Sequence, residues 1–290
     1  MRQVAQPGPA HADRIQWTEA RGHPLVVALE PGRNLLDAVH ERFAAEGFSS
    51  GVLTLQSGAL DPLVYVIPAL SPTGAHAAFY SDIIRSRGVS RIRSGAMTFG
   101  IRDGAPFFHC HAFWTGPDGG VRGGHVLPDE TIIADTIHAT GMGLAGAAFV
   151  AEYDAETNFT LFGPISRSDS TAPQAGNRVF ALRLRPNQDL ASALETFCRE
   201  RGIEGARLHG GVGSIIGASF TDGRRVRPFA TEMALLRGRI GCGDGGLPTE
   251  VDAALVDLTG EVFQGSLTRG DNPILMTLEI VLEPTEPASA

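Results

Sequence analysis

Lysine is absent from all 290 residues, so every one of the 24 basic side chains is an arginine. That absence excludes a lysine Schiff base, a pyridoxal-phosphate lysine and the lysine of a phosphate-binding P-loop. Cysteine is scarce as well. Cys110, Cys198 and Cys242 are odd in number and show no C-x-x-C spacing, which fits reduced thiols in a cytoplasm better than a disulfide framework or a zinc ribbon. No apolar run has the length of a signal peptide or a bilayer span, so cytoplasmic location without membrane insertion is the expectation. A formal charge of −8 opposes a phosphate backbone, although a local basic patch would still be able to attract one.

What is present is a soluble globular balance, 43% hydrophobic and 19% charged, in a chain long enough for two domains. An internal repeat supplies the division. Pro31, Leu35, Ala38, Gly47 and Gly58 match Pro186, Leu190, Ala193, Gly202 and Gly213 at a constant offset of 155. Asn34 and Asp189 stand where a helix N-cap belongs, and Gly47 and Gly202 where the helix must end. Leu35, Leu36, Val39 and Phe43 repeat at helical spacing, as do Leu190, Leu194 and Cys198. A strand-like run precedes each helix, Leu25 to Leu29 and Val179 to Leu184. The order strand, turn, amphipathic helix, strand therefore occurs twice.

Farther along, Val121 and Gly124 match Val262 and Gly265 at an offset of 141, so the first copy is 14 residues longer in its middle. The extra piece is expected between Ile67 and Gly95, with turn formers Pro68, Pro72 and Gly74 and a short helix near Phe79 to Arg85. The boundaries read as 14–163 for the first domain, 164–177 for a polar linker, 178–284 for the second domain and 285–290 for a flexible tail. Residues 1–13 are expected to be disordered or loosely docked.

Phe107 to Trp114 reads as a strand whose odd positions, including His109 and His111, share one face. Gly116 to Gly120 is a turn by composition, and Val121 to Leu127 returns as the partner strand. With the turn centred near Asp118, His111 faces His125 and His109 lies on the diagonal. Three imidazoles so placed suit one ion and leave a coordination position open. The alternative is that His109 and His111 are half-buried strand residues with backbone partners, in a register that can slip. No general base for an enzyme stands out near them, and no catalytic residue is assigned.

The stretch from Pro106 to Val126, with Phe-His-Cys-His-Ala, an Asp-Gly turn and Gly-Gly-His, resembles the plants-and-prokaryotes-conserved (PPC) domain. The upstream Pro-Gly turn, the helix and Ser57-Gly58-Ala59-Leu60 fit the same domain, so the resemblance covers most of 21–163 and, more weakly, 178–284. It implies an α/β (α+β) fold in two copies, each a largely antiparallel sheet with packed helices, and assembly as a homo-oligomeric trimer. It also implies zinc on His109, His111 and His125, and a DNA-binding assignment of the PD1-like kind. In the second copy these positions hold Glu250, Asp252 and Ser266, a poor ligand set, so that copy is expected to have lost its site and to serve assembly.

Rival motifs are weaker. Arg237-Gly238-Arg239 has the core of an AT-hook, but Ile240 replaces the proline and the tripeptide lies in a strand-like run. Gly210 to Gly213 fits neither a dinucleotide fingerprint nor a P-loop. The His-x-His lacks the glutamate that a cupin needs. Arg85, Arg87, Arg91 and Arg93 form the densest basic cluster, suited either to a small anionic ligand or to an exposed strand edge. The expected role is metal-bound binding or regulation, with direct DNA binding doubtful on charge. The alternative is a metal-dependent enzyme acting on a small molecule at the open position.

Overall fold

The computed structural model describes residues 1–167, 175–242 and 248–285. In the first copy the sheet runs Ile15–Leu29, Ile133–Ala145, Gly51–Leu60, Ser90–Arg102, Ala105–Thr115, Val121–Val126. The second copy repeats that order as Asn177–Leu184, Ile274–Pro284, Gly205–Ser219, Arg225–Gly241, Glu250–Asp257, Val262–Ser266. All of these neighbours pair antiparallel. The repeat seen in the sequence is thus a repeat of topology.

Among the described residues each copy has one α-helix, Leu35–Ala45 and Leu190–Glu200, where the resemblance implied packed helices more loosely. Asn34 accepts hydrogen bonds from the backbone of Leu36 and Asp37, and Asp189 accepts one from Ser192. A cap of this kind is worth about 1 kcal/mol. Gly47 and Gly202 adopt positive φ, 83° and 63°, just past the helix ends. The buried stripe Leu35, Val39 and Phe43 packs with Leu53, Met97, Phe108 and Trp114 on one face of the first sheet. Leu190, Leu194 and Phe197 do the same on the second.

The copies meet in two ways. Strand Ile15–Leu29 is shared: Ile15 through Gly22 pair with Leu184 through Asn177, while Arg21 through Leu29 pair with Ala145 through Ile137. The helix-free faces then stack, with Ala96 and Phe113 against Val212, Ala234, Ala254 and Val256. Alternation along Ala105–Thr115 sends Phe108, Cys110, Ala112 and Trp114 into the helix-side core. His109, His111 and Phe113 point the other way, into the layer between the copies.

Several local expectations are corrected. Residues 79–85 form no helix; they hold short strands Phe79–Tyr80 and Ile84–Arg85, paired with Pro68–Ala69 and Val64–Val66. Aromatic side chains favour the extended state, and the Ser81 hydroxyl takes the Ile67 N–H, which holds the chain against a neighbouring segment. The first residues are not loose: Arg2 donates to the carbonyls of Ile216 and Asp271, and Val4 exchanges two hydrogen bonds with the Asn187 amide. Of the expected linker, Pro164 to Ser166 belongs to strand Phe159–Ser166 and Asn177 opens the next strand, while 168–174 lie outside the described residues. Within the expected tail, 286–290 also lie outside them.

Candidate metal centre

The turn Gly116 to Gly120 is held by Asp118, which accepts from the Gly120 N–H and from Arg122. This sets the hairpin register, and His111 pairs with His125. An added Cβ on Gly124 would lie 2.6 Å from the Val66 carbonyl oxygen, so glycine there lets strand Val64–Val66 close against the hairpin beside His125.

The three histidines converge. His109 Nε2 lies 3.2 Å from His111 Nε2, which lies 3.3 Å from His125 Nδ1. Their ligand atoms form a single group within 4.8 Å of one another. The outer nitrogens are committed elsewhere: His109 Nδ1 is 2.5 Å from Glu279 Oε2, and His111 Nδ1 is 2.9 Å from the Met233 carbonyl. A carbonyl only accepts, and so does a carboxylate; both imidazoles therefore donate through Nδ1, and their Nε2 atoms are turned toward each other. Burial, with the nearby His109 and His125, holds His111 well below the ordinary histidine range, which keeps its Nε2 bare. Burial and His109 do the same to His125.

Two nitrogens on one tetrahedral zinc, each about 2.0–2.1 Å from it, are about 3.3–3.4 Å apart, close to the 3.2 Å between His109 and His111 and the 3.3 Å between His111 and His125. The residues fit a divalent transition metal.

The carboxylates come from the second copy. Glu279 is fully buried, accepts from the Thr277 hydroxyl at 3.0 Å and orients His109. Glu232 places Oε1 3.5 Å from His111 Nε2, and its Oε2 is buried without a partner among the described residues. Burial raises its pKa well above the usual carboxylate range. A carboxyl group suited to handling a proton therefore does stand beside the histidines. The sequence signal for both is an acid with apolar neighbours in a strand, Glu232 before Met233, Ala234 and Leu235 and Glu279 between Leu278 and Ile280, costly to bury unless it has a partner. A partly open cavity lies beside this cluster, with His109, His111 and Glu232 in its lining.

The equivalent place in the second copy is closed by other means. Asp252 pairs with Ser266 as His111 pairs with His125. Ser266 donates to Asp252 Oδ1 at 2.5 Å, and Arg237, which occupies the position of Ala96, reaches Asp252 Oδ2 at 2.7 Å. A guanidinium supplies the positive charge there. Arg237 and Arg239 lie in strand Arg225–Gly241, which accounts for the AT-hook-like tripeptide. Arg85, from the basic cluster, forms an exposed ion pair with Glu130 at 2.6 Å.

The family model for the Plants and Prokaryotes Conserved (PCC) domain matches residues 18–140 and again 172–286. The chain belongs to this family. Its two PCC copies are the two halves of the sheet described above. Among solved structures, a metal-containing protein of Archaeoglobus fulgidus is 21% identical with a TM-score of 0.40, covering 49% of this chain and 94% of that one. A plant- and prokaryote-conserved protein of Pyrococcus horikoshii is 18% identical with a TM-score of 0.41, covering 52% and 97%. A protein of Ralstonia eutropha named as a candidate DNA-binding protein is 15% identical with a TM-score of 0.37, covering 48% and 89%. No curated protein matches the chain. Among the described residues no helix is long and apolar enough to cross a membrane.

Proposed function

We propose that this tandem PCC protein binds one transition-metal ion per chain, zinc being the favoured occupant, through His109, His111 and His125. The observation that carries the reading is the pair of Nε2 atoms, of His109 and His111, held face to face at 3.2 Å by hydrogen bonds on their other nitrogens. Glu279 would hold His109 in its ligating tautomer, and Glu232 would face the open coordination position. Such an ion, when bound, polarises an oxygen placed in that position.

The role this supports best is binding of a small molecule at the junction of the copies, with a regulatory consequence. DNA is the weaker candidate: net charge is −8, and the histidine face is turned inward against the second copy. Trimeric assembly of the whole chain belongs to the same reading, and light scattering that returns a plain monomer removes it. The central test is metal content by mass spectrometry on protein purified without a histidine tag. About one zinc per chain is expected, and none after zinc is supplied overturns the proposal.

A second reading, a metal-dependent enzyme, is favoured by Glu232, a buried carboxyl group with one unpartnered oxygen. Zinc-dependent turnover of a neutral ester or amide, lost in Glu232→Gln at unchanged metal content, distinguishes it from a purely binding role.

A further inference from the structure

The cavity beside the histidines has a composition that selects among ligands. One wall is built by the segment that makes the first copy longer: Ala78, Phe79 and Tyr80 stand over His109 and His111. The second copy crosses the equivalent place with a tight turn, Phe220 to Arg224, and has no such wall. Phe159 extends the aromatic surface, its ring centroid 5.9 Å from that of Phe79 and 6.1 Å from that of Tyr80. Ala230, Leu275 and Met276 close the side contributed by the second copy. Among the described residues no arginine lines this space, and its charged groups cluster at the floor.

The polar floor is two imidazoles, His109 and His111, and one carboxyl group, Glu232. A phosphate or carboxylate ligand would add charge where no guanidinium receives it, which is costly in a half-enclosed space.

We infer that this cavity takes a small uncharged molecule with a flat apolar body and one amide-, hydroxyl- or carbonyl-type head. The body lies against Phe79, Tyr80 and Phe159, and the head faces His109, His111 and Glu232. The inference rests on the metal reading above and adds the ligand class. Glu232 acts as a positioning residue whose unpartnered Oε2 receives the head's hydrogen.

The test uses zinc-loaded full-length protein and calorimetry with three probes: benzohydroxamic acid, acetohydroxamic acid and phenyl phosphate. Benzohydroxamic acid is expected to bind at least about tenfold more tightly than acetohydroxamic acid, because only it carries the flat body. Phenyl phosphate is expected not to compete. Phe79 is 38% exposed, so Phe79→Ala should fold normally, keep its zinc and reduce the preference to about threefold or less. Phe159→Ala provides a second variant, with circular dichroism as the folding control. Glu232→Gln should weaken both hydroxamates by about tenfold at unchanged zinc content. Full zinc occupancy with equal affinity for the two hydroxamates overturns the inference and leaves the metal reading standing. Phenyl phosphate binding as tightly as benzohydroxamic acid overturns it likewise. Failure to bind zinc removes both.

Discussion

His109 Nδ1 lies 2.5 Å from Oε2 of Glu279, a residue 170 positions away on the other copy. A carboxylate behind a metal-ligating histidine fixes its tautomer and raises its basicity. Glu279→Gln keeps the shape and an accepting oxygen but removes the charge. Zinc affinity, measured by chelator competition, is expected to fall about 10- to 100-fold with the fold intact. Unchanged affinity would show that Glu279 serves packing alone.

His111 is the central histidine of the cluster, 1% exposed and within 3.3 Å of a nitrogen from each of its partners. His111→Ala should reduce bound zinc from about one per chain to less than about a tenth. Zinc at about a hundred times its Kd should stabilise the wild type by about 2.7 kcal/mol and leave this variant unaffected. Thermal melts with and without zinc make the comparison.

The cluster also shapes the pH dependence of the metal-free protein. Burial, then neighbouring histidines, lowers His111 and His125 well below 6.5, whereas burial raises Glu232 well above 4.5. Each depressed histidine makes stability rise with pH up to 6.5, and the raised Glu232 makes it fall as pH rises from 4.5 until that group ionises. Glu232→Gln should therefore remove the falling component of the profile, as urea melts on metal-free protein across pH would show. A profile that Glu232→Gln leaves unchanged would contradict this.

Asp154 bridges two buried guanidinium groups, its Oδ2 lying 2.8 Å from Arg183 and 2.7 Å from Arg185. Asp154→Asn preserves volume but removes the carboxylate that both cations share, at a cost of about 3–5 kcal/mol in chemical denaturation. Burial pushes this carboxyl up, but Arg183 and two hydrogen bonds from Thr157 outweigh it and hold the group below 3.8. Its contribution is therefore present above 3.8 and lost only as pH falls through the lower folded value.

Direct DNA binding is expected to fail in a gel shift at low ionic strength, where electrostatic attraction is strongest. A shift that weakens steeply with salt would reinstate it.

Much of this site is legible in the sequence because it is local. The composition of the turn around Asp118 and the two-residue alternation of strands suffice to oppose His111 to His125. The 141-residue offset likewise carries over to Asp252 and Ser266. What escapes is whatever depends on how the two sheets stack. Glu232 and Glu279 reach the histidines across more than a hundred residues, and no periodicity in either strand encodes that meeting. Residues 79–85 mislead for a different reason. Their apolar and polar positions suit one helical turn, but Ser81 and the facing strands draw the backbone into short extended pairs.

Strand Ile15–Leu29 belongs to both sheets, and the centre draws its imidazoles from one copy and its carboxylates from the other. A site built from two separate subunits comes apart on dilution. Here covalent linkage keeps the second half at a fixed, high local concentration, so metal affinity should be the same at nanomolar and micromolar protein. The same linkage means that the first copy, expressed without the second, would present three histidines to water with nothing behind them to fix their tautomers.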